Sequence, residues 1–245
     1  MKLKKNKIDR PETIVFGKPG NYVIKDEFTR LKDNILYFAV DGKCKVIQIE
    51  SAIAGEAKTT TVSNLAVCLG ENGKKVCLID LDFRKARVHR LFNIENINGL
   101  ADYMIDKVSK KEMIKKTEYE NVDIINRGSE INNAAVILTS EKLKKLICEL
   151  KEEYDFILLD CPPVLLISDY IHISNLSDGI LFVTAYGRTK KKQVLDAISQ
   201  IKKNNIPIIG ATLTFFDPNK SSNYSEYKYY NHYTYQEKEN NDWYT

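Results

Sequence analysis

Ser51-Ala52-Ile53-Ala54-Gly55-Glu56-Ala57-Lys58-Thr59-Thr60 is the stretch on which the reading of this chain turns. An apolar run, 45–51, leads into it, and an amphipathic segment at 58–71 leaves it. It therefore reads as a loop joining a strand to a helix. Successive backbone N–H groups at such a helix N-terminus form an anion-holding nest. In that setting Ala54, Gly55, Glu56, Ala57, Lys58, Thr59 and Thr60 cradle phosphate groups. Lys58 neutralises phosphate oxygens, and Thr59 offers its hydroxyl to magnesium. Ala57 stands where a glycine is usual: its methyl is tolerable with helical dihedrals and harmful if φ must be positive.

Two further runs end in carboxylates. They are Val76-Cys77-Leu78-Ile79-Asp80-Leu81-Asp82 and Phe156-Ile157-Leu158-Leu159-Asp160-Cys161-Pro162-Pro163. Asp80 and Asp82, two apart at a strand end, emerge on one side of the chain. They can share a metal and an acceptor hydroxyl; the plainer reading is a helix cap at Asp80 and a solvated Asp82. Asp160 suits a magnesium site, because Cys161-Pro162-Pro163 stiffens the chain and is a poor helix start. A lysine, a threonine and three carboxylates together imply nucleotide-dependent phosphoryl transfer.

Around these motifs, apolar strands at 45–51, 75–81, 122–127, 155–160, 179–185 and 207–215 alternate with helices. The helices fall at 58–71, 100–106, 109–116, 139–153, 169–175 and 189–204, after a short amphipathic one at 26–38. The fold class is therefore α/β, a mostly parallel sheet with helices on both faces. All three motifs fall at C-terminal strand ends, where such sheets bind ligands. The expected organisation is an N-terminal arm, 1–24, a catalytic domain, 25–217, and a flexible tail, 218–245. The tail is rich in Asn, Ser, Lys and Glu and has almost no aliphatic residue. It holds seven of the fourteen tyrosines: Tyr224, Tyr227, Tyr229, Tyr230, Tyr233, Tyr235 and Tyr244.

At 245 residues with a net charge of +4, the chain suits phosphates or an acidic membrane surface and does not call for nucleic acid. Lysine-rich stretches such as 107–116 read as solvated faces. The five cysteines, 44, 68, 77, 148 and 161, lack metal-ligand spacing, and Cys68, Cys77 and Cys148 read as core residues of a reducing compartment. The basic N-terminus has no apolar stretch behind it, and no window approaches the ~20 apolar residues of a membrane span. A cytoplasmic location is expected.

The motifs, quoted together, make the chain resemble the bacterial tyrosine kinases of the P-loop type that serve capsule and exopolysaccharide export. The resemblance runs over about 25–215. It rests on the Ser51–Thr59 loop, on Leu78-Ile79-Asp80-Leu81-Asp82-Phe83-Arg84 with Arg87 and His89 behind it, and on Leu158–Pro163, with Gly99-Leu100-Ala101-Asp102 also fitting. It implies ATP and Mg2+ as cofactors. Lys58, Asp80, Asp82 and Asp160 would be catalytic, with Arg84 on the nucleotide side and Thr59, Asp80, Asp82 and Asp160 around the metal. Asp80 or Asp82 would activate the tyrosine hydroxyl. The resemblance also implies the tail tyrosines as phosphoacceptors, modified in trans within a homo-oligomeric ring, and a transmembrane adaptor that recruits the kinase to the membrane. The family's ring-forming E-x-x-R-x-x-R pattern is incomplete here, as Asp26, Thr29 and Lys32 or as Glu27, Arg30 and Asp33. Thr214 stands at the family's adenine-side asparagine. A partitioning or cell-division ATPase and a weakly active nucleotide-binding scaffold are the alternatives.

Overall fold

A computed structural model describes residues 13–16, 22–39, 44–205 and 207–216. Helix α1 (Tyr22–Phe38) precedes strand β1 (Val46–Ser51) and helix α2 (Lys58–Glu71). Next come β2 (Val76–Asp80), three short helices, α3 (Val88–Leu91), α4 (Leu100–Met104) and α5 (Lys110–Met113), and then β3 (Lys115–Lys116) and β4 (Val122–Ile125). Helices α6 (Ala134–Leu138) and α7 (Glu141–Glu153) lead to β5 (Phe156–Asp160), and α8 (Asp169–Ser174) leads to β6 (Gly179–Ala185). Helix α9 (Lys191–Lys202) and β7 (Ile208–Thr214) complete the described chain.

The seven strands form one sheet in the order β3-β4-β2-β5-β1-β6-β7, parallel throughout except for β3 against β4. The phosphate-loop strand β1 lies between β5 and β6, and β2 borders β5. That order sets Asp80 directly opposite Asp160, and Ile49 opposite Asp160 on the other side. Asp80 and Asp160, 80 residues apart in sequence, thus lie side by side, and the three motifs meet at the C-terminal ends of β1, β2 and β5.

Side-chain alternation explains the layers. Ile47 and Ile49 of β1 join one core with the α2 residues Val62, Leu65, Ala66 and Leu69. Val46 joins the opposite core, built on Leu143, Leu146, Ile147 and Leu150 of α7. Those four recur at i, i+3, i+4 and i+7, the apolar stripe of a helix packed on a sheet. Helix α2 is buried along most of its length and stops in a Schellman turn: Gly73, at φ +75°, donates to Gly70, and Lys74 donates to Leu69.

Several local expectations change. Lys115 and Lys116 are the short antiparallel strand β3, and the helix expected over 109–116 ends at Met113. Ile114 takes an extended conformation, and Lys116 reaches across the pair to Asp123 at 2.8 Å. The helix expected at 139–153 forms as α7, whose N-cap Ser140 accepts from Leu143 N–H through its hydroxyl, and the short α6 just before it carried no expectation. Helix α1 begins at Tyr22, and Ile14, Val15 and Phe16 of the expected arm are buried against α2. Asn64 of α2 holds them: its Oδ1 accepts from Val15 N–H at 2.8 Å and its Nδ2 donates to Thr13 O at 3.1 Å. The same amide also donates to Thr60 O in the first turn of α2, at 2.8 Å. Cys148 is exposed, on the outer side of α7, while Cys68 and Cys77 are buried as expected. The tail tyrosines, Tyr224 to Tyr244, lie outside the described residues.

Candidate active site

The loop between β1 and α2 turns through two left-handed residues, Gly55 at φ +85° and Ala57 at φ +63°. Gly55 adopts this freely; Ala57 carries a methyl in a conformation that costs an L-residue about 1–2 kcal/mol. The condition that made Ala57 costly in the sequence is thus met. Ala54 and Gly55 are exposed at the mouth of the loop.

Glu56 points the other way. It is 1% exposed, and its carboxylate accepts from Ile53 N–H at 2.7 Å, Ala185 N–H at 3.1 Å and the Thr189 hydroxyl. Its carbonyl lies 3.0 Å from the Thr214 hydroxyl, which also sits 3.2 Å from Thr184 O. One buried acid and one hydroxyl therefore fasten the loop to the ends of β6 and β7. Only the backbone of Glu56 remains for a phosphate.

Lys58 and Thr59 open α2. The Lys58 ammonium donates to Ser51 Oγ at 2.9 Å, folded back along the loop. The Thr59 hydroxyl donates to Asp160 Oδ2 at 2.7 Å. Half-buried Thr60 offers its carbonyl to Asn64.

The carboxylates divide by surroundings. Asp80 is fully buried; its Oδ1 accepts from Asp82 N–H at 3.2 Å, and its Oδ2 from the N–H groups of Arg87 and Val88, at 2.9 and 3.1 Å. Burial, with the Asp160 charge beside it, holds the Asp80 carboxyl well above the usual range despite these bonds. Asp82 is half-buried, and its Oδ1 accepts from the N–H groups of Arg84 and Lys85 at 3.2 and 2.9 Å. Arg84 is exposed and lies in the field of Asp169 at the start of α8. Asp80 thus acts as a hub for the turn that follows it, and Asp82 sits further out.

Glu50 carried no expectation. It is fully buried on the α8 side of β1, where its Oε1 accepts from Gln48 Nε2 at 2.7 Å. Gln48 also donates to Tyr170 O and accepts from the Ser174 and Ser177 hydroxyls. Burial pushes the Glu50 carboxyl up to about 8, against the pull of Gln48 and Lys58. Polar residues alternating through a strand otherwise buried on both faces were the available signal for it.

Among the described residues, no three His, Cys, Asp or Glu side chains converge as a protein-only metal cage. The donor set fits a magnesium ion of the kind held by a hydroxyl, one or two carboxylates and phosphate oxygens. The two left-handed loop residues at the start of α2 fit a polyphosphate in the same way.

A family model described as AAA domain matches residues 44–210. Tyrosine-protein kinase YwqD of Bacillus subtilis (strain 168) is 33% identical over 232 residues, 94% of this chain and 96% of that one. A Klebsiella pneumoniae protein named for a cps region is 29% identical over 212 residues, covering 86% of this chain and 29% of its own length. The chain thus spans nearly all of one relative and under a third of the other. Among solved structures, the chimerical protein CapA2B2 superposes with a TM-score of 0.78 at 28% identity, covering 82% of this chain and 88% of that one. The septum site-determining protein MinD of Pyrococcus horikoshii OT3, complexed with Mg-ADP, overlaps less closely: TM-score 0.59 at 29% identity, over 69% of each chain. With a P-loop sheet, its phosphate loop and three strand-end carboxylates in place, the chain belongs to the bacterial tyrosine-protein kinases, built on an AAA domain.

Proposed function

We propose that this chain is an ATP-dependent protein-tyrosine autokinase whose acceptors are the tyrosines of its own C-terminal tail. The observation that carries the reading is the convergence of Lys58, Thr59, Asp80, Asp82 and Asp160 at one sheet edge, with Thr59 bonded to Asp160 at 2.7 Å. When bound, Mg-ATP supplies the transferable phosphoryl group and much of the positive charge that offsets its oxygens.

The chain's own residues do the rest. The loop backbone at Ala54–Ala57 holds phosphate oxygens, and Lys58 leaves Ser51 to pair with them. Thr59 and Asp160 hold the metal side. Asp80, with both oxygens engaged by backbone amides, fixes the turn that presents Asp82. Asp82 would take the proton of the tyrosine hydroxyl as that oxygen bonds to the γ-phosphorus and ADP leaves with the bridging oxygen, a proton transfer that a phenol of pKa ~10 requires. Arg84, one turn on, completes the nucleotide side. The aromatic and cationic group at the ends of β6 and β7, with Arg188 3.6 Å over the Phe215 ring, offers a stacking face for the base.

On this reading 25–217 is the kinase domain and 218–245 its substrate. The relative named for a cps region supports a role in capsule or exopolysaccharide synthesis and export. A transmembrane adaptor would bring the kinase to the membrane surface; among the described residues no helix is long and apolar enough to cross a membrane. Assembly in a ring would run through α1, where Glu27, Arg30 and Asp33 share an exposed face, while Lys32 of the other register is buried, bonded to Asn72 at 3.2 Å and paired with Asp33 at 3.0 Å.

The test is phosphotyrosine mapping by mass spectrometry after incubation with Mg-ATP, with and without the adaptor's cytoplasmic segment. Tail tyrosines modified in the wild type and bare in Lys58→Met are expected. An unmodified tail despite ATP binding moves the reading to an ATPase or a scaffold.

A further inference from the structure

The turn that follows Asp82 carries a charge pattern that phosphate binding does not use up. From Phe83 to Ile94 the chain has Arg84, Lys85, Arg87 and Arg90 and not one carboxylate. The fold fixes this segment from the inside: Asp82 receives the backbone amides of Arg84 and Lys85, and Asp80 those of Arg87 and Val88. Because the amides face inward, all four cationic side chains stand exposed on the rim beside Asp82. Arg127, two residues beyond β4, braces the turn by donating to Phe83 O at 3.2 Å and is itself paired with Glu130 at 3.7 Å. His89 registers the resulting field: burial and then the charges of Arg90 and Arg127 hold its imidazole below the usual range.

The tail supplies the complement. Its first six tyrosines, 224, 227, 229, 230, 233 and 235, are never more than three residues apart, and Glu226 directly precedes Tyr227. An extended peptide advances about 3.3 Å per residue, so a neighbour one to three positions from an acceptor lies within ~10 Å of it. A phosphotyrosine brings about −1.5 to −2 charges and oxygens that arginine pairs bind in bidentate fashion.

We infer that the arc of Lys85, Arg87 and Arg90, with Arg84 at its inner end, docks an anionic side chain next to the acceptor tyrosine. A glutamate serves first and a newly formed phosphotyrosine thereafter, so that tail phosphorylation primes itself. The docking is non-covalent; each transfer would still break the bond from the γ-phosphorus of ATP to its bridging oxygen, release ADP, join that phosphorus to the tyrosine oxygen and pass that oxygen's proton to Asp82. The inference rests on the kinase reading for its consequence and on the arc alone for binding. Recognition of phosphorylated motifs by arginine clusters supplies its physical basis.

The experiment has two arms. In the first, the full chain carrying Lys58→Met is titrated with a fluorescent peptide of residues 222–236, unmodified or phosphorylated at Tyr229 and Tyr230, and followed by anisotropy. The phosphopeptide is expected to bind at least tenfold tighter. That advantage should shrink with added salt and vanish in Lys85→Ala/Arg87→Ala/Arg90→Ala, which keeps the inward backbone amides. Arg90→Glu, a single exposed change, provides the same test should the triple variant fail to fold. In the second arm, wild-type kcat/KM for Tyr227 is compared between the two peptides and a Glu226→Gln version. A gain of about tenfold on priming and a loss of severalfold on removing Glu226 are expected, with the neutral peptide's rate unchanged by the arc variants. Equal binding of the two peptides, or a preference that survives in both arc variants, overturns the inference. Selective binding without transfer to any peptide leaves the docking arc standing and overturns the kinase reading instead.

Discussion

The Thr59 hydroxyl donates to Asp160 Oδ2 at 2.7 Å, a bond that spans 101 residues. It couples the first turn of α2 to the end of β5. Thr59→Val keeps the shape and removes the donor, so a nearly buried carboxylate loses a partner at a cost of about 1–3 kcal/mol. Calorimetric titration of ATP with magnesium and with EDTA checks the role. The affinity gained from magnesium, expected to exceed tenfold in the wild type, should collapse in Thr59→Val and persist in Thr59→Ser. A valine variant that keeps the full gain would remove Thr59 from the metal site.

Ala57 is strained where it stands, at φ +63°. Ala57→Gly relieves a left-handed conformation worth about 1–2 kcal/mol and gives back some of that to glycine's entropy in the unfolded chain. A net gain of about 0.5–1 kcal/mol is expected, seen as a Tm rise of roughly 2–3 °C. Nucleotide affinity should hold or improve. A lower Tm would show that the methyl makes contacts that outweigh its strain.

Glu56 is the loop's anchor. In Glu56→Gln one oxygen becomes an amino group facing backbone donors, and a buried donor is left without an acceptor. Chemical denaturation should register a loss of about 2–3 kcal/mol. ATP should bind more weakly, although the side chain is turned away from the phosphates. Unchanged stability would mean that the loop holds its shape without that carboxylate.

Glu50 makes stability depend on pH. Its carboxyl titrates near 8 in the folded protein, against about 4.3 for an unperturbed glutamate. Between those values the folded state holds the extra proton, so stability falls as pH rises through the window and levels off above 8. Glu50→Gln remains neutral and keeps an oxygen for Gln48. Its Tm should match the wild type near pH 5 and exceed it by about 5 °C at pH 8, for an effect on the order of 2 kcal/mol. Parallel Tm profiles for the two proteins across that range would contradict the assignment.

Most of the architecture was legible because its strands are apolar and their ends are marked by aspartate. Helix 58–71 and strand 179–185 fall where the periodicity places them. The misses share a cause: they are decided by partners distant in sequence. Lys115 and Lys116 carry no strand signal of their own and extend because β4 lies beside them. Ile14–Phe16 looked like arm because Asn64, about fifty residues on, supplies their hydrogen bonds. At the site, Lys58, Thr59 and the three aspartates announced themselves by spacing. Glu56 seemed to face a ligand, and only the ends of β6 and β7 reveal that it is an internal brace. Glu50 passed as the polar end of an apolar run; the sheet order that buries it cannot be read from β1 alone.

The amide of Asn64 grips Thr13 and Val15 on one side and Thr60 on the other. A single side chain therefore joins the beginning of the chain to the residue next to Thr59. A shift of residues 13–16 cannot leave these three bonds intact unless the first turn of α2 moves with it.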